Sequence, residues 1–172
     1  MIVSRDVMYK GYYQLDDLSV ITKKEKVVSR ELLLTKDGVG ALVYDTNLKK
    51  YVLTSQWRPC LNKPLIEVVG GSIDEKDGDP IEAIKKEVEE EIGYKTDKLV
   101  FIDDCFVSPG TITEFVKVYY IEVSEMINSG GGSEDEDEEI DVIYMTLEEL
   151  LETKFYDAKT IIAINWLKSK LN

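Results

Sequence analysis

Short apolar runs bounded by turn signals recur along most of this chain and read as strands. Candidate strands cover Met8–Leu15, Leu18–Lys23 and Lys26–Leu34, all rich in Tyr, Val, Ile and Leu. A Lys36-Asp37-Gly38 turn signal follows. Gly40–Asp45 and Lys50–Trp57 read as a hairpin, and Leu65–Gly71 as a short strand running into two glycines. Further strands are expected at Lys98–Val107, Phe115–Val123 and Ile140–Thr146, the first two separated by SPGTITE.

The rhythm changes to 3.6 residues at DPIEAIKKEVEEEIG. Asp79 is placed as N-cap, Pro80 at the first helical position, Glu82 to complete a capping box, and Gly93 to stop the helix. Ile81, Ile84, Val88 and Ile92 form one apolar stripe that docks on a sheet. Glu82–Lys86, Lys85–Glu89 and Lys86–Glu90 are helix-spaced opposite charges. Glu87, Glu90 and Glu91 share the other flank with only Ala83. Like charges there repel, and the macrodipole opposes carboxylates at a helix C-terminus. A solvated acidic face and a divalent cation site both account for such a helix. Two more helices, at Thr146–Glu152 with Thr146 as cap and at Asp157–Leu171, close the chain. The pattern is that of an α+β domain.

Composition narrows the chemistry. The 172 residues suit one domain with a small appended subdomain, and no apolar run is long enough to cross a membrane. The N-terminus lacks a signal-peptide layout, so a cytoplasmic place is expected. Cys60 and Cys105 fit no metal or redox spacing and read as reduced, partly buried thiols. A net charge of −13 argues against a nucleic-acid backbone as partner. With no histidine in the chain, triads and His-ligated zinc or iron are excluded, and any metal must be held by oxygen: Mg²⁺, Mn²⁺ or Ca²⁺. Near the helix, Glu67 leads into Gly70-Gly71, where backbone can approach a ligand closely. SGGGSEDEDEEI, from Ser129 to Ile140, joins three glycines to six consecutive acids, Glu134 to Glu139. Alone it reads as a flexible, solvated linker.

GGSIDEKDGDPIEAIKKEVEEEIGY resembles the Nudix box, whose core here is Lys86-Glu87-Val88-Glu89-Glu90-Glu91-Ile92-Gly93-Tyr94. Lys86 stands where the box usually has Arg, and the spacer around Lys76 to Asp79 is one residue longer than usual. SRELL, GVGALVYD, LTSQWRP, LIEVVGGSIDE, VSPGTITE and GGGSEDEDEEIDV extend the resemblance to the nucleotide-sugar pyrophosphatases, which act on ADP-ribose or GDP-mannose. The resemblance implies a Nudix α/β/α sandwich of mixed sheet and helices (37–172), preceded by a small antiparallel β subdomain (1–36) that makes a homodimer. It implies metal-dependent hydrolysis of a nucleoside diphosphate sugar to nucleoside monophosphate and sugar phosphate. Glu87 and Glu91 match the main Mg²⁺ ligands (Mn²⁺ as the alternative), Glu90 a further one, and the Gly70 carbonyl a backbone ligand. The acidic loop is implied to supply the general base or an extra ligand, Glu136 first and Glu138 or Glu134 next, on glycines that let it close over the metals. Arg30, Arg58, Glu67, Ser108, Pro109, Gly110 and Glu114 match substrate-contacting positions. Trp57, Tyr12 and Tyr13 are candidates for base stacking or for core or dimer packing. Nucleoside triphosphate cleanup and a catalytically silent nucleotide-binding domain stay open as alternatives.

Overall fold

The structure is a computed structural model that describes residues 1–73, 78–132 and 139–171. The Glu134, Glu136 and Glu138 candidates therefore lie outside the described residues, as do Lys76 and Asp77 of the longer box spacer. The chain divides into two compact units.

The first unit comprises Met1–Asp37 and Cys105–Phe115. Strands β1 (Ile2–Lys10), β2 (Gln14–Ile21) and β3 (Val27–Leu34) form an antiparallel three-stranded sheet. The expected single strand over Met8–Leu15 is instead the end of β1, a turn at 11–13 and the start of β2. Gly11 N–H bonds back to the Tyr13 carbonyl at 2.9 Å, and the tyrosines beside it sit at the hairpin tip rather than in a strand. Asp16 is buried and paired with Arg5 and Gln14. The SPG stretch joins this unit through the Leu33–Ile112 bridge and the Thr35–Thr113 hydrogen bond of 2.9 Å.

The second unit comprises Gly38–Asp104 and Val116–Asn172. Its strands are β4 (Gly38–Asp45), β5 (Lys50–Arg58), β6 (Lys63–Glu67), β7 (Tyr94–Phe106), β8 (Phe115–Met126) and β9 (Ile140–Met145), the ends of β7 and β8 passing into the first unit. The sheet runs β6-β5-β4-β8-β7, with β9 also paired to β5. β4 and β8 are parallel, whereas β5 runs antiparallel to β4, β6 and β9. Parallel strands need cover on both faces, and β4 is buried almost throughout. Val39, Ala41 and Val43 point into one core with helix α1 (Pro80–Ile92). Leu42 points into a second core with α2 (Leu147–Glu152) and α3 (Ala158–Leu171). Helix, sheet and helix therefore form three layers.

Helix α1 starts as expected at Asp79, whose carboxylate accepts the Ile81 N–H at 2.9 Å, and ends at Gly93 with φ 75°. Glu82 does not close a capping box; its carboxylate pairs with Lys85 at 2.7 Å, one turn along its own face. The buried face is also rotated from the expected stripe. Ile84, Val88 and Ile92 are buried, each worth about 1.5–3 kcal/mol. Ile81 is exposed at 40%, while Ala83 and Glu91 are buried. The small Ala83 lets that flank press against the strand layer, and this carries Glu91 inward.

The C-terminal end of α1 has no basic residue in its last turn, yet the carbonyls of Val88, Glu89, Glu90 and Glu91 have partners. Gly93 N–H serves Val88 and Glu89, the Asn128 amide serves Glu89 at 3.3 Å, Gly132 N–H serves Glu90 at 3.1 Å and Gly131 N–H serves Glu91 at 2.9 Å. Gly130, at φ 61°, brings these amides into place; a Cβ there would stand 2.6 Å from the Glu91 carbonyl oxygen. The described glycines are thus docked rather than a free linker. They offset the dipole cost that a row of glutamates incurs at this end. Gly130→Ala combines left-handed backbone with a backbone clash, so a loss of about 1–3 kcal/mol is expected, read as a lower urea midpoint at unchanged slope.

Two smaller expectations are settled here. Thr146 caps α2 in a full capping box with Glu149. Cys60 is an exposed free thiol rather than a partly buried one, since the turn after β5 carries it into solvent; Cys105 is half-buried and also free.

Candidate active site

Five of the residues singled out by sequence come together in the second unit: Arg58, Glu67, Gly70, Glu87 and Glu91. Their meeting point is the extended segment after β6. Ala41 N–H donates to the Val69 carbonyl at 2.7 Å and Val39 N–H to the Gly71 carbonyl at 2.9 Å, so one edge of this segment lies on β4. Carbonyls alternate along an extended chain. The Gly70 carbonyl therefore faces the other way, and among the described backbone it accepts no hydrogen bond. Gly70 N–H shares that outward direction and donates to Glu91 Oε2 at 3.1 Å.

Absence of side chains at Gly70 and Gly71 makes this approach possible. A Cβ on Gly70 would stand 2.4 Å from the Val39 carbonyl oxygen, and one on Gly71 2.0 Å from Glu87 Oε1. Glu87 and Glu91, one helical turn apart on α1, thus present both carboxylates to one short stretch of backbone. Glu90 is directed elsewhere, toward Lys86 at 3.6 Å. Among the described residues no group of three or more His, Cys, Asp or Glu side chains is arranged to hold a metal ion. What is assembled is two carboxylates and one outward carbonyl. This donor set fits a hard divalent cation, because every donor is oxygen and the carboxylate holding Gly70 N–H keeps further lone pairs.

Beside this set, Arg58 donates from Nε and Nη2 to both oxygens of buried Glu67, at 2.6 and 2.8 Å. This bidentate pair raises the guanidinium's pKa, against the opposing effect of burial, and the fields of Glu67, Asp157 and Glu91 add to it. Arg58 is charged at every working pH.

Asp157 and Thr160, at the N-terminus of α3, had no role from sequence. Asp157 Oδ2 accepts both the N–H and the hydroxyl of Thr160 at 2.8 Å, and Lys159 Nζ lies 3.2 Å from Oδ1. Burial pushes the Asp157 pKa up, but the Lys159 charge and the Thr160 bonds outweigh it and hold it below the usual aspartate value. Thr160 Oγ1 in turn accepts the Val68 N–H at 2.9 Å. The Asp-Ala-Lys-Thr spacing is that of an N-cap and its third helical residue, which is the one signal by which sequence alone could have found the pair.

Arg30, Ser108, Gly110 and Glu114 belong to the first unit. Arg30 on β3 is exposed and donates to its neighbour's carbonyl at 2.8 Å. Ser108 and Thr111 hydroxyls lie 3.3 Å apart, the Glu114 carbonyl accepts Val107 N–H at 3.1 Å, and Gly110 faces open space. Trp57, Tyr12 and Tyr13 are exposed at 53%, 88% and 49%, so none of them packs in a core.

Comparison with known proteins follows the same lines. The NUDIX domain family model matches residues 34–164. A methanol dehydrogenase activator of Bacillus methanolicus is 32% identical over 160 residues, covering 90% of this chain and 83% of that protein. The GDP-mannose pyrophosphatase of Escherichia coli (strain K12) is 29% identical over 184 residues, covering 98% and 94%. A crystal structure of an ADP compounds hydrolase superposes with a TM-score of 0.84 at 16% identity, over 99% of this chain and 93% of that one. This last likeness establishes the shared fold.

Proposed function

That the chain belongs to the NUDIX domain family is the premise from which we propose its reaction: hydrolysis of the diphosphate of a nucleoside diphosphate sugar, of the ADP-ribose or GDP-mannose type, to nucleoside monophosphate and sugar phosphate. The observation that carries this reading is the convergence of Glu87 and Glu91 on the Gly70–Gly71 backbone. Nudix hydrolases generally use divalent metal ions. In this chain Glu87, Glu91 and the Gly70 carbonyl would hold Mg²⁺, with Mn²⁺ as the substitute. A cation bound there supplies charge neutralisation for the diphosphate and lowers the pKa of attacking water. That local positive charge is what allows a chain of net charge −13 to take an anionic substrate.

The remaining roles are those that the resemblance implies. Glu90 is the third carboxylate of the box, and its pairing with Lys86 is weak enough to exchange. Glu136, with Glu138 as the second choice, takes the proton from water. Arg58, held by Glu67, brings a permanently charged guanidinium, and Arg30, Ser108, Gly110 and Glu114 contact substrate. Residues 1–36 act as the dimerisation subdomain and 37–172 as the hydrolase domain. Support for a homodimer is the outer strand β1, exposed along its whole length, with Ile2, Val3, Val7, Met8 and Tyr9 unburied. A cytoplasmic place suits the exposed free thiol of Cys60, and among the described residues no helix is long and apolar enough to cross a membrane.

The test is a panel of ADP-ribose, GDP-mannose, other nucleotide sugars and nucleoside triphosphates, incubated with Mg²⁺ and resolved by chromatography. Nucleoside monophosphate is expected from at least one nucleotide sugar and is expected to disappear with EDTA. Turnover of triphosphates alone would move the activity to cleanup chemistry. Tight binding without turnover would make the chain a nucleotide sensor.

A further inference from the structure

We propose that Thr160 is a positioning residue for the metal-holding backbone: its hydroxyl, oriented by Asp157, fixes the Val68 peptide and so sets where Gly70 stands against Glu91. The inference rests on the reading of Glu87, Glu91 and Gly70 as the metal-holding set.

The segment from Val68 to Gly71 has two edges. Its inner edge is held by backbone, through Val39 and Ala41 of β4. Its outer edge carries the N–H groups of Val68 and Gly70, which point the same way because they are two residues apart in extended chain. Two side chains take them. Glu91 from α1 accepts Gly70 N–H, and Thr160 from α3 accepts Val68 N–H. The outer edge is thus pinned from both helical layers at once. Glu91 also belongs to the metal-holding set; Thr160 has no charge and lies outside it.

Thr160 suits this task for three reasons. It is fully buried, so water cannot replace it as a partner for Val68. Its hydroxyl cannot rotate away, since its own proton is committed to Asp157 Oδ2 at 2.8 Å. Asp157 is itself fixed, as the N-cap of α3 bonded to Thr160 N–H and paired with Lys159. The chain of contacts runs from a capped helix terminus, through one hydroxyl, to a backbone position two residues before the proposed carbonyl ligand. Partners that orient a ligand without touching the metal commonly change metal affinity by about 10–100-fold when removed.

The test is Mn²⁺ binding to the purified protein, followed by electron paramagnetic resonance and by titration calorimetry, with thermal unfolding recorded alongside. Thr160→Val keeps the shape and removes the hydroxyl, and is expected to weaken Mn²⁺ about tenfold. Thr160→Ser restores the hydroxyl and is expected to bind within about twofold of the unaltered protein. A Thr160→Val protein that melts earlier but binds Mn²⁺ with unchanged affinity would make Thr160 a folding residue only and overturn the proposal. If Thr160→Val does not fold, Asp157→Asn replaces a charge-assisted bond to the hydroxyl by a neutral one. It is expected to weaken Mn²⁺ by about threefold, and unchanged binding would again overturn the proposal. Failure of the unaltered protein to bind Mn²⁺ would remove the metal reading itself. Normal binding by the unaltered and Thr160→Val proteins alike would remove only the role of Thr160.

Discussion

Glu91→Gln is expected to lower Mg²⁺-dependent release of nucleoside monophosphate by about 100-fold or more, with the protein still folded. The substitution keeps the side chain's length and one carbonyl oxygen, so Gly70 N–H retains an acceptor at the position now 3.1 Å away. What it removes is the negative charge, which a hard cation requires and a backbone N–H does not. Glu91 is buried. Because the shape and the bond to Gly70 N–H are kept, thermal stability without metal is expected to change far less than turnover. Turnover and melting temperature therefore move independently. Measuring both, with and without Mg²⁺, separates lost chemistry from lost structure. Activity equal to that of the unaltered protein would exclude Glu91 as a ligand and, with it, the donor set drawn around Gly70.

Two neighbouring glycines give the second contrast, because each excludes a side chain for a different reason. In Gly71→Ala the new methyl meets the carboxylate end of Glu87, 2.0 Å from Oε1 and 2.4 Å from Cδ. That end is the tip of a flexible side chain and can swing aside, so the fold is expected to survive with a loss of about 1 kcal/mol or less. Turnover is expected to fall by about 100-fold, since a displacement of about 1 Å in a reacting group has that effect. In Gly70→Ala the methyl meets the Val39 carbonyl oxygen at 2.4 Å and Gly40 Cα at 3.0 Å. Backbone in a buried strand cannot move aside cheaply. A loss of about 1–3 kcal/mol or more is expected, read by urea unfolding. One substitution thus reads mainly as activity and the other mainly as stability. Equal stability losses at both would mean that the Glu87 carboxylate does not yield to the new methyl, and would overturn the contrast.

The glycine-acid stretch SGGGSEDEDEEI illustrates how far a linear reading goes. Flexible glycines and a charged run describe a linker in any chain, and only the hydrogen bonds from Gly131 and Gly132 to Glu91 and Glu90 show the glycines docked on a helix end. Their donors reach across the gap between β8 and α1, elements distant in sequence. The acids Glu134 to Glu138 that follow lie outside the described residues, and the catalytic role given to them stands as proposed. Thr160 escaped notice for a similar reason. A Thr inside a helical pattern has no preferred partner until the strand it faces is known, and Val68 is 92 residues away.

Local chemistry determined a good deal by itself. Apolar runs rich in strand-forming residues, the turn signals between them and one strong 3.6-residue segment dictated most elements and the α+β class. Asp79, Pro80 and Gly93 determined where α1 begins and ends, because capping depends on residues within one turn. The absence of histidine restricted any metal to oxygen ligands before any geometry was known. Tertiary structure decided the rest. It rotated the buried face of α1 from Ile81 toward Ala83 and Glu91, since the helix packs on a particular sheet rather than on its own hydrophobic average. It turned the Gly70 carbonyl outward because the carbonyls on either side are committed to β4. It engaged Arg58 with Glu67 through their side chains, although the strand pairing sets Arg58 opposite Lys63 and Glu67 opposite Thr54. Caps, periods and composition are properties of neighbours along the chain; the direction of a carbonyl and the partner of a guanidinium are properties of neighbours in space.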